Sequence, residues 1–356
     1  MSDYAHKQVD KEIKATTIRL RREYKQASRE VQAKLDDYLR RFEIKDQKWQ
    51  EWVETGYKTK KQYKDWRVGQ IAVGKRWRAM QEELAQDYAN VNKLARQIVR
   101  GKMPEIYALN HNWGTYIIEK QAKLNTGYTL YSAETVEFLM KNNPKLLPDP
   151  GAAVSRNIIN GLDTRYNRQQ LQSVMMQSIL QGDSLPEMSK RIAMTVGEKN
   201  YKSAIRNART MYTCAQNAGR LGSYRRAEDM GIEINKQWVA TLDGRTRHAH
   251  RLLDGQIVPV NEPFDSEFHD DIMYPGDPDA DPGNVYNCRC TMISQIKGHE
   301  IDSTSYREDP DIGDMTYEEW KDSKPEYSNP IDLPERKQQA IKMKYINEYR
   351  RGGKKK

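Results

Sequence analysis

Cysteine is scarce in this chain, with only Cys214, Cys288 and Cys290 among 356 residues. Three is too few, and an odd number, for a disulfide framework, so a reducing interior is expected. Long apolar runs are missing as well. No stretch is apolar enough to cross a bilayer, which excludes a membrane-spanning partner role. The opening residues, MSDYAHKQVDKEIK, are charged from the start and lack the apolar core of a signal peptide, so secretion is not expected. Hydrophobic residues make up 37% and charged residues 31%. That balance argues against one large apolar core and predicts long solvated helices around modest ones. There is no HExxH helix, no GxSxG elbow, no P-loop and no solenoid repeat, so the best-marked hydrolase, nucleotidase and repeat architectures are excluded.

What the chain has in excess is positive charge: 59 Lys and Arg against 50 Asp and Glu, a net charge of +9. Such an excess favours a polyanion as partner through phosphate neutralisation, although solvated basic helices give the same composition. The candidate DNA contacts are Arg206, Arg209 and Arg220 on a predicted helix, and Arg350, Arg351, Lys354, Lys355 and Lys356 in the basic tail. A solvated helix face and a ligand-free terminus are the competing readings. No base-reading motif accompanies these residues, so any contact with double-stranded DNA is expected to be independent of sequence.

Periodicity supplies the organisation. Leu20, Tyr24, Ala27, Val31, Leu35, Tyr38 and Phe42 recur at three- and four-residue steps, which predicts one long helix over about 8–44 with a narrow seam. Trp49, Trp52, Tyr57, Tyr63, Trp66 and Trp77 follow among lysines, either as core or as a base-stacking surface. A second helix is predicted over 71–99, interrupted by Gly101, Pro104 and the polar stretch around His111, with a further helical segment through Tyr116 and Ile117. The prolines of NNPKLLPDPG place a linker at 142–151. Ser184 and Glu187 form a capping box that starts a helix, and another helix over 199–229 ends at Gly231. Beyond it the period changes to two. Asp243-Gly244 and Asp254-Gly255 read as turns, an acidic loop covers 261–283, and NCRCTMISQI reads as a returning strand.

The expected fold class is therefore mainly α with a small C-terminal α+β module and an elongated helical N-terminal part. Three regions are expected: a helical arm or bundle over 1–150, a domain of helices followed by a small β-containing Cys/His module over 151–296, and a polar connector with a basic tail over 297–356. A short helix around MTYEEW falls in the last.

His248-Ala-His250 and Cys288-Arg-Cys290 lie in that module. In a strand, residues two apart share a face, so all four side chains can converge as a Cys₂His₂ set for a structural zinc, with His248 or Asp243 completing four ligands around His250, Cys288 and Cys290. The spacing is not that of a zinc finger. The alternative is that the cysteines are small buried hydrophobes or a thiol pair, with His250 hydrogen-bonded to a turn aspartate such as Asp254. The same histidines with Asp243, Asp254, Arg245, Arg247 and Arg289 can be assembled into a metal-dependent nuclease or hydrolase. Because the histidines are read as lying between two turns and not on a helix face, a protein without enzymatic activity is favoured, and a general DNA-binding protein is a further alternative.

The series Trp238-x-Ala240-Thr241-x-Asp243-x-Arg245-Thr246-Arg247-x-x-His250-x-x-x-Asp254-Gly255, followed by Asn287-Cys288-Arg289-Cys290, resembles the C-terminal signature of the phage head-morphogenesis family typified by the Mu F and SPP1 minor head proteins. Arg209-Thr210 and Asn217-Ala218-Gly219-Arg220 on the preceding helix are similar to it too, and the resemblance covers about 150–295. It implies a minor capsid protein without catalytic residues, in which Trp238, Asp243, Arg247, His250, Asp254, Gly255, Asn287, Cys288, Arg289 and Cys290 are structural. It further implies association with the portal protein, with major capsid or scaffolding protein as further partners in procapsid assembly, and a place in the virion head after assembly in the host cytoplasm. His248 is an extra histidine that the signature does not require.

Overall fold

The computed structural model describes residues 3–123, 125–150, 161–296 and 316–325. The chain divides into two compact units: one comprises Met1–Lys14, Val99–Pro150 and Arg206–Lys356, the other Ala15–Ile98 and Gly151–Ile205. Three long helices contribute to both: α1 (Tyr4–Arg40), α4 (Lys75–Ala122) and α7 (Leu185–Asp229). Between them lie α2 (Glu43–Glu54), α3 (Lys60–Ile71), α5 (Ala133–Asn142), a 3₁₀ turn at Pro144–Leu146, and α6 (Leu162–Gln181).

The second unit is helical throughout its described residues. The predicted seam of α1 is its core face, since Leu20, Tyr24, Ala27, Val31, Leu35 and Tyr38 are all buried. Of these, Val31, Leu35 and Tyr38 share one core with Trp77, Leu84 and Tyr88 of α4, Leu171, Met175 and Ile179 of α6, and Met188, Ile192 and Val196 of α7. The seam outlasts the helix. The chain turns at Arg41 and Phe42, and Phe42, still buried, begins α2 instead of ending α1. Trp77 belongs to this core, whereas Trp49, Tyr63 and Trp66 form a half-buried stack on the α2–α3 hairpin, with the Trp49 and Trp66 rings 5.5 Å apart and inclined by 22°.

Two expected interruptions are absent. Helix α4 runs unbroken through Gly101 and Pro104, although a helix-interior proline costs about 3 kcal/mol through the lost hydrogen bond and ring clash. Burial outweighs that cost, because Met103, Ile106, Tyr107, Ala108 and Ile117 are almost completely enclosed. The polar stretch is not a loop. Asn112 exchanges two 2.9 Å hydrogen bonds with the backbone of Tyr131, and His111 Nδ1 lies 2.6 Å from the Tyr128 hydroxyl. Likewise the segments starting at Ser184 and at 199 are one helix, α7, opened by the reciprocal Ser184–Glu187 cap and closed by Gly231 at φ +88°.

After Gly231 come β1 (Ile234–Val239), α8 (His248–Leu253), β2 (Ile257–Pro259), α9 (Pro282–Val285) and β3 (Thr291–Ile296), and the described residues end with α10 (Tyr317–Asp322). The strands form an antiparallel sheet in the order β2–β1–β3, with Trp238 opposite Met292 and Lys236 opposite Val258. The returning strand starts four residues later than expected, at Thr291 and not Asn287. Asn287 adopts φ +59°, which breaks the extended run, and Cys288 and Cys290 lie in the connector ahead of β3. The structure is thus mainly α with a small α+β module near the C-terminus.

Candidate functional site: a buried Cys/His module held by one helix

The module is positioned by the C-terminal half of α7. Four polar residues of that helix, at steps of three, four and three, each take one backbone group of the incoming connector. Thr210 Oγ1 accepts from the Asn287 N–H (2.8 Å) and Thr213 Oγ1 donates to the Cys288 carbonyl (2.9 Å). Asn217 Nδ2 donates to the Cys290 carbonyl (3.2 Å) and Arg220 Nη1 to the Met292 carbonyl (2.9 Å). The two spans match in length. Ten helical residues rise about 15 Å and five extended residues cover about 16 Å, so a helix stripe and a near-extended chain can be paired end to end. Arg220 is itself buried, its Nη2 2.8 and 2.7 Å from the two carboxylate oxygens of Asp3 and its Nε 3.2 Å from Asn110 Oδ1.

With the connector fixed, Cys288 and Cys290 face His250 from α8. His250 Nδ1 is 3.7 Å from the Cys288 sulfur and 3.4 Å from that of Cys290. All three side chains are buried, at 3% exposure or less. Trp238 lies edge-on to the imidazole with ring centroids 5.7 Å apart, so the ring is boxed by apolar and sulfur atoms. Its Nε2 is buried with no partner among the described residues. Burial pushes the Cys288 thiol well up, while the hydrogen bond from Cys288 together with the nearby His250 pulls Cys290 down.

Around this centre the charged residues are committed to one another. Arg289 grips Asp243 through two hydrogen bonds of 2.6 and 2.7 Å, and with the Arg245 N–H this holds the Asp243 carboxyl well below the usual carboxylate range. Asp254 Oδ1 accepts from the Ala240 N–H at 2.8 Å instead of bonding His250. Gly255, at φ +83°, turns the chain so that its N–H reaches the Trp238 carbonyl. Arg247 donates to the Tyr286 carbonyl, and Arg209 Nη1 donates to Asn287 Oδ1 at 2.7 Å. Lys236, in β1, is buried with its ammonium on the Met273 carbonyl (2.8 Å), and desolvation lowers it to about 7.

Residues 169–293 match the family described as phage Mu protein F like protein. This segment is similar to the Mu F-like minor head proteins. Minor head protein GP7 of Bacillus phage SPP1 is 28% identical over 258 residues, which cover 69% of this chain and 76% of that protein. An NAD(+)--arginine ADP-ribosyltransferase, EFV, of Enterococcus faecalis is 28% identical over 202 residues, and an uncharacterized protein of Haemophilus influenzae is 25% identical over 187. The matches cover 54% and 51% of this chain but only 40% and 37% of those two proteins. No solved structure gives a significant match.

The Mu F-like segment thus takes in most of α6, all of α7 and the module up to Ile293. The signature residues from Trp238 to Cys290 lie in the module, and the structure brings Trp238, His250, Cys288 and Cys290 into one cluster and Asp243 and Arg289 into one ion pair. Two sequence assignments are corrected. His248 does not join the cysteines: residues 248–253 are helical, so residues two apart diverge by about 200°, and His248 is exposed while His250 points inward. Arg220 is not a DNA contact, because its guanidinium is enclosed with Asp3. Arg206 is exposed and Arg209 half-buried, while Arg350, Arg351, Lys354, Lys355 and Lys356 lie outside the described residues. Sequence reasoning did not identify Thr213 or Gln216 as holding the connector. Gln216 Nε2 donates to Thr291 Oγ1 at 2.9 Å. The available signal was a run of uncharged polar residues at helical spacing among alanines and glycines.

Proposed function

We propose that this chain is a minor head component of a tailed bacteriophage that acts in head morphogenesis at the portal, with an architectural and not a catalytic role. The observation that carries the reading is the Mu F-like match over 169–293, together with the likeness to minor head protein GP7 over three quarters of that protein's length. The geometry supports it. A nuclease needs a carboxylate and a charge stabiliser free to meet a phosphodiester, whereas Asp243 and Arg289 are spent on each other and Asp254 is spent on a backbone amide. The protein places itself in the virion head, assembled in the host cytoplasm with the portal protein and with major capsid or scaffolding protein. It touches packaged double-stranded DNA through Arg206, Arg209 and the lysine-rich tail.

Co-expression with the portal protein of the same genome, followed by size-exclusion chromatography, tests the portal assignment. Comigration and recovery of the chain from purified heads by mass spectrometry are expected, and absence from both would sink the proposal. In the same preparations, DNA affinity should fall steeply with salt, and Arg206→Ala should reduce the slope of log K against log salt by about one. A slope unchanged by both Arg206→Ala and removal of 351–356 would assign DNA contact elsewhere.

A further inference from the structure

We infer that His250, Cys288 and Cys290 bind one zinc ion through three protein donors, with neither His248 nor Asp243 supplying the fourth ligand. Among the described residues these three form the one group of His, Cys and carboxylate side chains whose donor atoms come together, all within 4.8 Å of one another. Their spacing suits a tetrahedral ion. With Zn–S near 2.3 Å and Zn–N near 2.1 Å, a sulfur and a nitrogen on the same zinc stand about 3.5 Å apart. The two observed S···Nδ1 separations, 3.4 and 3.7 Å, bracket that value.

The surroundings are those of a thiolate site. The Cys290 N–H donates to the Cys288 sulfur at 3.3 Å, an amide contact that favours the anionic form of that sulfur. The carbonyls of both cysteines are pinned by Thr213 and Asn217, which fixes the connector with or without an ion. His250 has no oxygen or nitrogen partner on either ring nitrogen among the described residues, and a thiol is only a weak partner for an imidazole. A buried imidazole left this way is costly, and a cation between the ring and two thiolates gives it a strong one.

Two thiolates and an imidazole are a soft-to-borderline donor set, which selects zinc over magnesium or calcium. On binding, each thiol gives up its proton to solvent, so the dipositive ion is neutralised by two thiolates, and the imidazole lone pair makes the third bond. Both expected fourth ligands are otherwise placed: His248 is exposed on α8, and both Asp243 oxygens are held by Arg289. The fourth position therefore falls to water or another small ligand.

Full-length protein made without a metal-affinity tag in zinc-supplemented medium, then dialysed, should carry about one zinc per chain by elemental analysis. Cobalt(II) added to the metal-free protein should give thiolate-to-cobalt charge-transfer bands and tetrahedral d–d bands that one equivalent of zinc abolishes. Cys288→Ser, Cys290→Ser and His250→Ala should lose most of the metal, whereas His248→Ala and Cys214→Ala should retain it. The inference is overturned by wild-type protein that holds no zinc and gives no cobalt bands, or by a Cys288–Cys290 disulfide, seen as loss of the mass of two hydrogens. Loss of metal in His248→Ala would overturn the assigned ligand set. Should the ligand variants fail to fold, the wild-type cobalt spectrum and the His248→Ala variant decide by themselves. Portal association is read separately, so failure of either proposal leaves the other standing.

Discussion

The helical unit and the Cys/His module achieve order by different means. The helical unit gathers twenty buried apolar residues from α1, the α3 end, α4, α6 and α7 into one core, and its one fully buried ion pair among the described residues is Arg67 with Asp46 on the α2–α3 hairpin. The core cluster of the module has nine, two of them cysteines. What it lacks in apolar area it makes up with directed bonds: Thr210, Thr213, Asn217 and Arg220 to the connector, Asp254 to Ala240, and Arg289 to Asp243. Dispersed apolar contacts degrade gradually when one is lost. A polar bond in a buried setting fails as a unit, because its partner is left desolvated and unpaired.

Three substitutions or conditions would sharpen or break that contrast. The largest effect is expected for Arg220→Ala, which leaves the Asp3 carboxylate without its counter-ion in the interior and should cost about 3–5 kcal/mol. Hydrogen exchange should show protection lost in β1 and β3 while α6 keeps its own. Equal loss in α6 would mean that the two regions do not differ in this way. Leu171→Ala, in the fully buried centre of the helical core, should cost roughly 2–4 kcal/mol by urea denaturation, with protection reduced across α1, α4, α6 and α7 together.

The smallest effect concerns pH. Burial, with Arg226 nearby, lowers His111 from 6.5 to about 3. Above pH 6.5 the ring is neutral in both folded and unfolded chains. As pH falls from 6.5 towards 3 only the unfolded chain takes up the proton, so stability declines by roughly 1.4 kcal/mol per pH unit. A urea series from pH 7 to 5 should show this loss, and His111→Phe should flatten the dependence. An unchanged slope in that variant would assign the acid sensitivity to other groups.

Much of the helical unit was legible because its signals are periodic and redundant. Six apolar residues at helical spacing, Leu20 to Tyr38, marked the buried face of α1, and a reciprocal Ser184–Glu187 pair marked the start of α7. Pro104 misled, since local propensity argues for a break and the enclosure of Met103, Ile106 and Tyr107 on the same helix cannot be read from local sequence. In the module, the residues of the site were named from the sequence but their arrangement was not. Six residues between two Asp-Gly turns are too few to separate a period of 2 from one of 3.6, so His248 was placed beside His250 when α8 turns it away. Arg220 reads as a candidate DNA contact from local sequence because its partner, Asp3, lies 217 positions earlier.

The pairing of α7 with the connector sets a limit on how this sequence can change. Between Thr210 and Arg220 the helix acts as a fixed scale, each division matched to a backbone group between Asn287 and Met292. A substitution at one division removes one bond. Inserting or deleting a single residue instead rotates every later division by about 100° and shifts it by about 1.5 Å, so all bonds beyond that point are lost together. The stretch is therefore open to drift in composition but closed to drift in length, and the same holds for the six residues from Asn287 to Met292 that it measures.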